Sequence, residues 1–235
     1  MNPTRSTQNW NRLMEDEIAS LEGRRPTLLL HSCCAPCSTA VIALLSRHFR
    51  LTVFYYNPNI DEEREYRLRA AEQQELLSKM EEAEGVSFIE GEYRPEDFLD
   101  HAKHLAHEPE GGSRCTFCYA LRLEKTAEKA RELGFEFFTT TLSISPMKDA
   151  QRINLIGSSL QETWGVRWLW SDFKKKDGFR RSVEISKKFG LYRQDWCGCS
   201  WSKAEALGRI KNTASGSAPD GNAAKPREEE LPERK

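Results

Sequence analysis

Seven cysteines carry most of the chemistry available to this 235-residue chain. They form three groups, which are Cys33, Cys34 and Cys37, then Cys115-Thr-Phe-Cys118, and finally Cys197-Gly-Cys199. Thiolates bind soft metal ions and iron–sulfur clusters, and pairs of thiols carry two-electron redox chemistry. The N-terminal residues show no secretory signal, and seven is an odd number for a disulfide framework. We therefore expect a protein of the reducing cytoplasm whose cysteines bind metal or react.

The first group is open to two interpretations. Cys34 and Cys37, between a predicted strand and a predicted helix, have the layout of a thioredoxin-type dithiol, because a helix N-terminus favours the thiolate. That interpretation does not explain Cys33, the length of the chain or the four further cysteines. A general thiol–disulfide oxidoreductase therefore stays as an alternative. Cys37 fits equally well as a ligand of a second metal, a resolving thiol or a small buried residue.

The first two groups together predict a metal centre. Adjacent cysteines at the end of a strand and a CxxC pair at the start of another helix offer four thiolates, which suit Zn²⁺ or a [4Fe–4S] cluster. Spacing does not decide between these, although consecutive residues bind a single small ion awkwardly, which favours the wider cluster. Cys197-Gly-Cys199 fits either a strained, redox-active disulfide or another pair of metal ligands.

The elements that must position these residues alternate between strand and helix along the chain. This alternation predicts a Rossmann-like α/β domain, with a parallel sheet and helices on both faces. Ligands of open parallel sheets bind beyond the carboxyl ends of the strands. The loops 33–37, 57–59, 143–148 and 172–174 should therefore share one edge of the sheet. The predicted strands are TLLLHS, LTVFYY, VSFIEG, FEFFTTTL and VRWLW, and the predicted helices are STAVIALLSRHF, residues 61–84, the segment after Cys115 and DAQRINLIGSSLQETW.

We expect an N-terminal helical extension (1–26), a single α/β catalytic domain (27–211) and a disordered tail (212–235), because the tail has too little apolar content to offset the entropy of ordering. No apolar run approaches the roughly 20 residues of a membrane span. Residues 167–211 contain 12 basic and 5 acidic residues. This segment is either a solvated face or a cationic surface for a polyanion such as RNA.

Several long motifs, in one order, resemble a known family. LLLHSCCAPC, YYNPNI, CTFCYALRLEKTAEKARELGFEFFTTTLSISPMKD, DFKKKDGFRRSVEIS and LYRQDWCGCSWS, from about Leu28 to Trp201, are similar to the QueH-type epoxyqueuosine reductases. The resemblance implies a fold like that of the PP-loop/HUP nucleotide-binding class. HSCCAPCS stands where PP-loop enzymes that use ATP have SGGxDS, so ATP binding is not expected.

The resemblance also implies an activity, cofactors and partners. The activity is reduction of epoxyqueuosine to queuosine at the wobble position of tRNAs with a GUN-type anticodon, the last step of queuosine biosynthesis. The tRNA and an external electron donor are the implied partners. The alternative is a zinc-bearing tRNA-binding or tRNA-modifying protein without redox chemistry. The implied site residues are Cys33, Cys34, Cys115 and Cys118 for a [4Fe–4S] cluster, Cys197 and Cys199 for a redox-active disulfide, and Cys37 and Asp172 as candidate ligands of an additional mononuclear iron.

Overall fold

The centre of the computed structural model, which describes residues 8–214, is a five-stranded sheet. Its strands are β1 (Thr27–His31), β2 (Arg50–Tyr55), β3 (Ser87–Glu90), β4 (Phe137–Thr140) and β5 (Arg167–Trp168). They lie in the order β3-β2-β1-β4-β5, and every neighbouring pair is parallel. The predicted α/β class with a parallel sheet is therefore confirmed. The strand β5 has only two residues, so it is shorter than the predicted VRWLW segment.

Helices cover both faces of the sheet. Along β1, Leu28 and Leu30 belong to one hydrophobic core, whereas Leu29 belongs to a second core on the opposite face, as the period of two along a strand requires. All three side chains are fully buried. The helices are α1 (Trp10–Ser20), α2 (Ala35–Leu45), α3 (Glu63–Lys79), α4 (Glu96–Ala102), α5 (Ser113–Glu132), α6 (Ala150–Trp164), α7 (Gly178–Lys188) and α8 (Ser200–Ala214).

The start of α2 differs from the sequence prediction and affects the position of one cysteine. The helix begins at Ala35 rather than at Ser38, because Pro36 has a fixed φ that suits the first helical turn. Cys34 is consequently the residue that caps the helix, and Cys37 lies inside its first turn. The three cysteines therefore lie at one strand-to-helix junction.

The ends of the described chain are both helical. Met14 and Leu21, which lie in and just after α1, are buried in the same core as β1, and Trp10 stacks on Trp170 with ring centroids 5.3 Å apart. The helix α8 continues through residues 212–214, and the remainder of the predicted tail lies outside the described residues. No helix in the described part of the chain has the length and apolar character needed to cross a membrane.

Candidate active site

The loops that follow the strands meet at one edge of the sheet, as the sequence predicted. Because all the strands run parallel, their carboxyl ends lie on the same side. Two hydrogen bonds connect neighbouring loops directly. The Asn57 side-chain amide donates to the Ser32 carbonyl at 2.9 Å, and the Phe173 backbone N–H donates to the Ser143 hydroxyl at 3.4 Å. These contacts hold the loops that carry the candidate residues in fixed relative positions.

The first cysteine group forms a compact set of sulfur atoms. The Sγ atom of Cys34 lies 3.9 Å from that of Cys33 and 2.9 Å from that of Cys37, and all three lie within 4.8 Å of one another. Among the described residues, no other three His, Cys, Asp or Glu side chains bring their ligand atoms this close. Cys37 thus lies beside the two cysteines of the expected cluster. Asp172 lies outside this set and forms an ion pair with Lys174 at 2.7 Å.

The second group lies on the first turns of α5. Cys118 is only 6% exposed, and burial raises the pKa of its thiol to about 11. It shares a small apolar cluster with Cys199 and Phe98. The Sγ atom of Cys115 accepts a hydrogen bond from the Gly111 N–H at 3.2 Å. Cys118 of the CxxC pair therefore packs against the third cysteine group, whereas Cys115 packs against a hydrophobic core of the sheet.

The third group lies in a loop held against the segment after β2. The Sγ atoms of Cys197 and Cys199 are 3.7 Å apart, and both thiols are free. The Asn59 side-chain amide donates to the Cys197 carbonyl at 3.0 Å. Gly198, at φ +120°, fits against Ile60 so closely that a Cβ atom there would lie 2.6 Å from the Ile60 side chain. The two sulfurs are therefore neighbours, at a separation longer than the roughly 2 Å of a disulfide bond.

The first and the third cysteine groups each contain one cysteine that favours its thiolate form. Hydrogen bonds with Cys34 and Cys37 hold the pKa of Cys33 well below its ordinary value, and the hydrogen bond with Cys199 does the same for the pKa of Cys197. The ammonium of Lys148, in the loop after β4, lowers both values further. Thiolates are the nucleophilic and metal-binding form of cysteine, so Cys33 and Cys197 are the reactive members of their groups, whereas the pKa values of Cys34 and Cys199 are raised.

Buried cations near the thiols are the site residues that the sequence reasoning missed. Arg69 on α3 and Arg122 on α5 are each only 2% exposed. The Nη1 atom of Arg69 lies 3.5 Å from the Cys197 carbonyl, and the Nε atom of Arg122 donates to the Cys118 carbonyl at 3.2 Å. Both arginines lie on charged helices whose other cations are mostly exposed. The helical period could have found them, because Arg69 follows the buried Tyr66 by three residues and Arg122 follows the buried Tyr119 by three residues.

The parallel sheet has the architecture of an α/β enzyme, and the three cysteines at the end of β1 could hold a metal ion. Residues 28–205 match the family model described as "Epoxyqueuosine reductase QueH". The chain belongs to this family, as the sequence motifs predicted. The family is one of oxidoreductases.

Individual relatives match over most of their lengths. The epoxyqueuosine reductase QueH of Streptococcus pyogenes serotype M1 is 41% identical over 206 residues, which cover 86% of this chain and 80% of the relative. That of Staphylococcus epidermidis is 41% identical over 197 residues, covering 81% and 83%. That of Thermotoga maritima is 36% identical over 183 residues, covering 76% and 91%.

Proposed function

We propose that this protein reduces epoxyqueuosine to queuosine at the wobble position of tRNAs with a GUN-type anticodon, as the last step of queuosine biosynthesis. The observation that carries the proposal is family membership across residues 28–205, which contain all seven cysteines. An anticodon loop presents unstacked bases that an enzyme can reach without opening a duplex. Because the substrate is tRNA, the proposed location is the cytoplasm.

The proposed cofactor is a [4Fe–4S] cluster held by Cys33, Cys34, Cys115 and Cys118. Four thiolates are the usual ligands of such a cluster, and the buried guanidinium of Arg122 suits a centre with net negative charge. A bound cluster supplies single electrons, and an iron ion with an open coordination position supplies a Lewis acid. The free Cys118 thiol has a raised pKa, so metal binding must displace its proton.

An additional mononuclear iron is part of the proposal, and the geometry favours Cys37 as one of its ligands. The Cys37 sulfur lies 2.9 Å from that of Cys34, and the Cys37 residue is half-buried. Asp172 is the other candidate. Its Oδ1 atom forms an ion pair with Lys174 at 2.7 Å, so this atom would have to exchange the ammonium for iron before it could act as the ligand.

The Cys197 and Cys199 thiols can supply the number of electrons and protons that the reaction consumes. Conversion of an epoxide to an alkene releases its oxygen as water and consumes two electrons and two protons. Oxidation of two thiols to one disulfide releases two electrons and two protons, so one disulfide balances one epoxide. An external electron donor then reduces the disulfide to two thiols for the next turnover. The separation of 3.7 Å between the two sulfurs supports this role.

A basic face on α7 is the proposed docking surface for the tRNA backbone. Arg181, Lys187 and Lys188 are exposed, and none of them forms an ion pair within the described part of the chain. The helix packs on α2, which begins at the first cysteine group, and the Thr39 hydroxyl donates to the Ser182 carbonyl at 3.5 Å. Phosphates attract Lys and Arg regardless of base sequence, so this face can orient the tRNA near the site.

Anaerobic reconstitution of the full chain with iron and sulfide tests the proposal. The wild type should bind both, show the visible absorbance of a cluster, and convert epoxyqueuosine in tRNA over multiple turnovers with a chemical reductant. Cys118→Ala should lose the absorbance. Cys199→Ser should keep it and lose multiple turnover. Ser200→Ala, which removes an exposed hydroxyl next to Cys199, is the matched control and should behave as the wild type.

Other outcomes would support the competing functions. Zinc bound without iron or sulfide, together with inactivity on epoxyqueuosine, would favour the zinc-bearing tRNA-binding or tRNA-modifying protein. Reduction of insulin disulfides by a metal-free preparation would favour a general thiol–disulfide oxidoreductase that uses Cys34 and Cys37. Normal multiple turnover by Cys199→Ser would remove the redox role of that cysteine while leaving the metal centre intact.

A further inference from the structure

Three buried arginines differ in what neutralises their charge. Arg69 pairs with Glu65 at 2.6 Å, and Arg114 pairs with Glu205 at 3.5 Å. Arg122 is just as buried as these two, at 2% exposure. Within residues 8–208, whose side chains are described, no carboxylate lies within ion-pair distance of Arg122. Its environment is therefore unlike that of the other two.

A guanidinium removed from water without a counter-ion is strongly destabilising. The hydrogen bonds of Arg122 do not meet this need, because the Cys118 carbonyl at 3.2 Å and the Asn57 amide oxygen at 3.3 Å are both neutral. The anionic groups in range are cysteine sulfurs. Burial opposes the charge of Arg122, whereas negative charge on the sulfurs of Cys118, Cys33 and Cys197 favours it and raises its pKa above the ordinary value. The Cys118 sulfur carries that charge once metal binding has displaced its proton.

Arg122 also connects two of the elements that carry cysteines. Its Nε atom bonds to the carbonyl of Cys118 on α5, and its Nη1 atom bonds to Asn57. The Asn57 amide in turn donates to the carbonyl of Ser32, the residue before Cys33, at 2.9 Å. The guanidinium therefore joins the CxxC helix to the end of β1.

We propose that Arg122 is the buried counter-ion of the thiolate centre, a positioning residue that stabilises the anionic sulfurs and fixes α5 against the end of β1. Lys148 is a second, more exposed cation of the same kind, since it also forms no ion pair among the described side chains. The inference rests on the thiolate-bound centre of the proposed function and does not depend on the substrate.

Three substitutions separate the charge of Arg122 from its hydrogen bonds. Arg122→Met removes both, whereas Arg122→Lys keeps the charge and loses the forked geometry. Asn57→Asp gives the guanidinium a carboxylate but loses the amide donor to the Ser32 carbonyl, so Asn57→Leu, which loses the same donor without adding charge, is its control. If the charge is what matters, Asn57→Asp should resemble Arg122→Met, and Arg122→Lys should resemble the wild type.

The first readout is Cd²⁺ binding to the reduced, metal-free full chain, followed by thiolate-to-metal charge-transfer absorption. Arg122→Met should lower the affinity by about 10- to 100-fold, the range found when groups that support metal ligands are removed. Asn57→Asp should also lower it, and Arg122→Lys should restore most of it. Lys148→Met should have a smaller effect, because water screens a half-exposed charge.

The second readout is the midpoint potential of the reconstituted iron–sulfur centre. Reduction adds negative charge, so Arg122→Met and Asn57→Asp should shift the potential to more negative values, and Arg122→Lys should leave it near that of the wild type. A purely structural arginine would not produce this order. If Arg122→Met fails to fold, the difference between Asn57→Asp and Asn57→Leu, both of which keep the arginine and lose the donor to Ser32, still tests the charge.

Two results would overturn the inference. One is unchanged Cd²⁺ affinity and potential in Arg122→Met or in Asn57→Asp. The other is Arg122→Lys being as impaired as Arg122→Met, which would make the role one of geometry alone. The proposed function fails separately, if the iron-loaded wild type does not reduce epoxyqueuosine, and the ordering of these variants would not be affected by that failure.

Discussion

The loop between Cys197 and Cys199 depends on a glycine, and Gly198→Ala tests that dependence. Gly198 has a φ of +120°, a conformation that residues with a side chain rarely adopt. A Cβ atom at this position would lie 2.6 Å from Cγ1 of Ile60 and 3.2 Å from Nδ2 of Asn59. Ile60 is completely buried, so it cannot move aside into solvent.

Two penalties set the size of the effect. Holding alanine at this φ costs on the order of 1–3 kcal/mol, and forcing a methyl group against a packed side chain costs about 1–3 kcal/mol more. The loop is consequently expected to leave its present position, which breaks the bond from Asn59 to the Cys197 carbonyl. If the displaced loop is favoured by about 2–6 kcal/mol, fewer than about a tenth of the molecules keep Cys197 in its present position.

The assay compares turnover with stability in the same preparation. We expect the rate of epoxyqueuosine reduction to fall by at least about tenfold, while global unfolding shifts little, because a loop without regular secondary structure can open locally without unfolding the rest of the chain. Gly208→Ala in α8 is the matched control, since within the described part of the chain no atom outside the backbone of its own helix lies within 4 Å of its Cβ position. That variant should keep full turnover and gain roughly 0.5–1 kcal/mol from its better helix propensity.

Unchanged turnover by Gly198→Ala would refute the reasoning, because it would mean that the loop accommodates the methyl group without moving its cysteines. A variant that loses stability by the whole penalty but reduces epoxyqueuosine normally per folded molecule would refute it as well. In that case the loop would be part of the cooperative core rather than a locally mobile part of the site.

Two further predictions concern the core and the tRNA surface. A Cβ atom on Gly157 would lie 2.3 Å from the ring of the buried Trp168, so Gly157→Ala should lower the free energy of unfolding by about 1–3 kcal/mol in urea titrations, and an unchanged midpoint would contradict the packing. Lys187→Ala combined with Lys188→Ala should weaken tRNA binding. The slope of log affinity against log salt should become shallower by roughly 0.7–0.9 for each phosphate that these lysines neutralise in the wild type. An unaltered slope would mean that the tRNA binds elsewhere.

The sequence predicted the elements well where their pattern is local. Apolar runs mark the strands β1, β2 and β4, because buried parallel strands need continuous apolar side chains. Local pattern was less informative elsewhere. The helix α2 begins three residues earlier than predicted, and β5 is reduced to two residues by its position at the sheet edge. The helices α4, α7 and α8 have charged sequences whose few apolar residues supported no prediction.

Taken by itself, the sequence determined the α/β class, the shared edge of the loops and the family, because the order of strands and helices and the spacing of cysteines are written along the chain. Tertiary structure decided which groups meet there. It placed Cys37 with Cys33 and Cys34, and it packed Cys118 against Cys199. It also buried Arg122 next to Cys118, with no carboxylate at ion-pair distance among the side chains of residues 8–208. Such contacts depend on how distant segments fold together, and burial sets the pKa of a thiol and the need of a cation for a counter-ion.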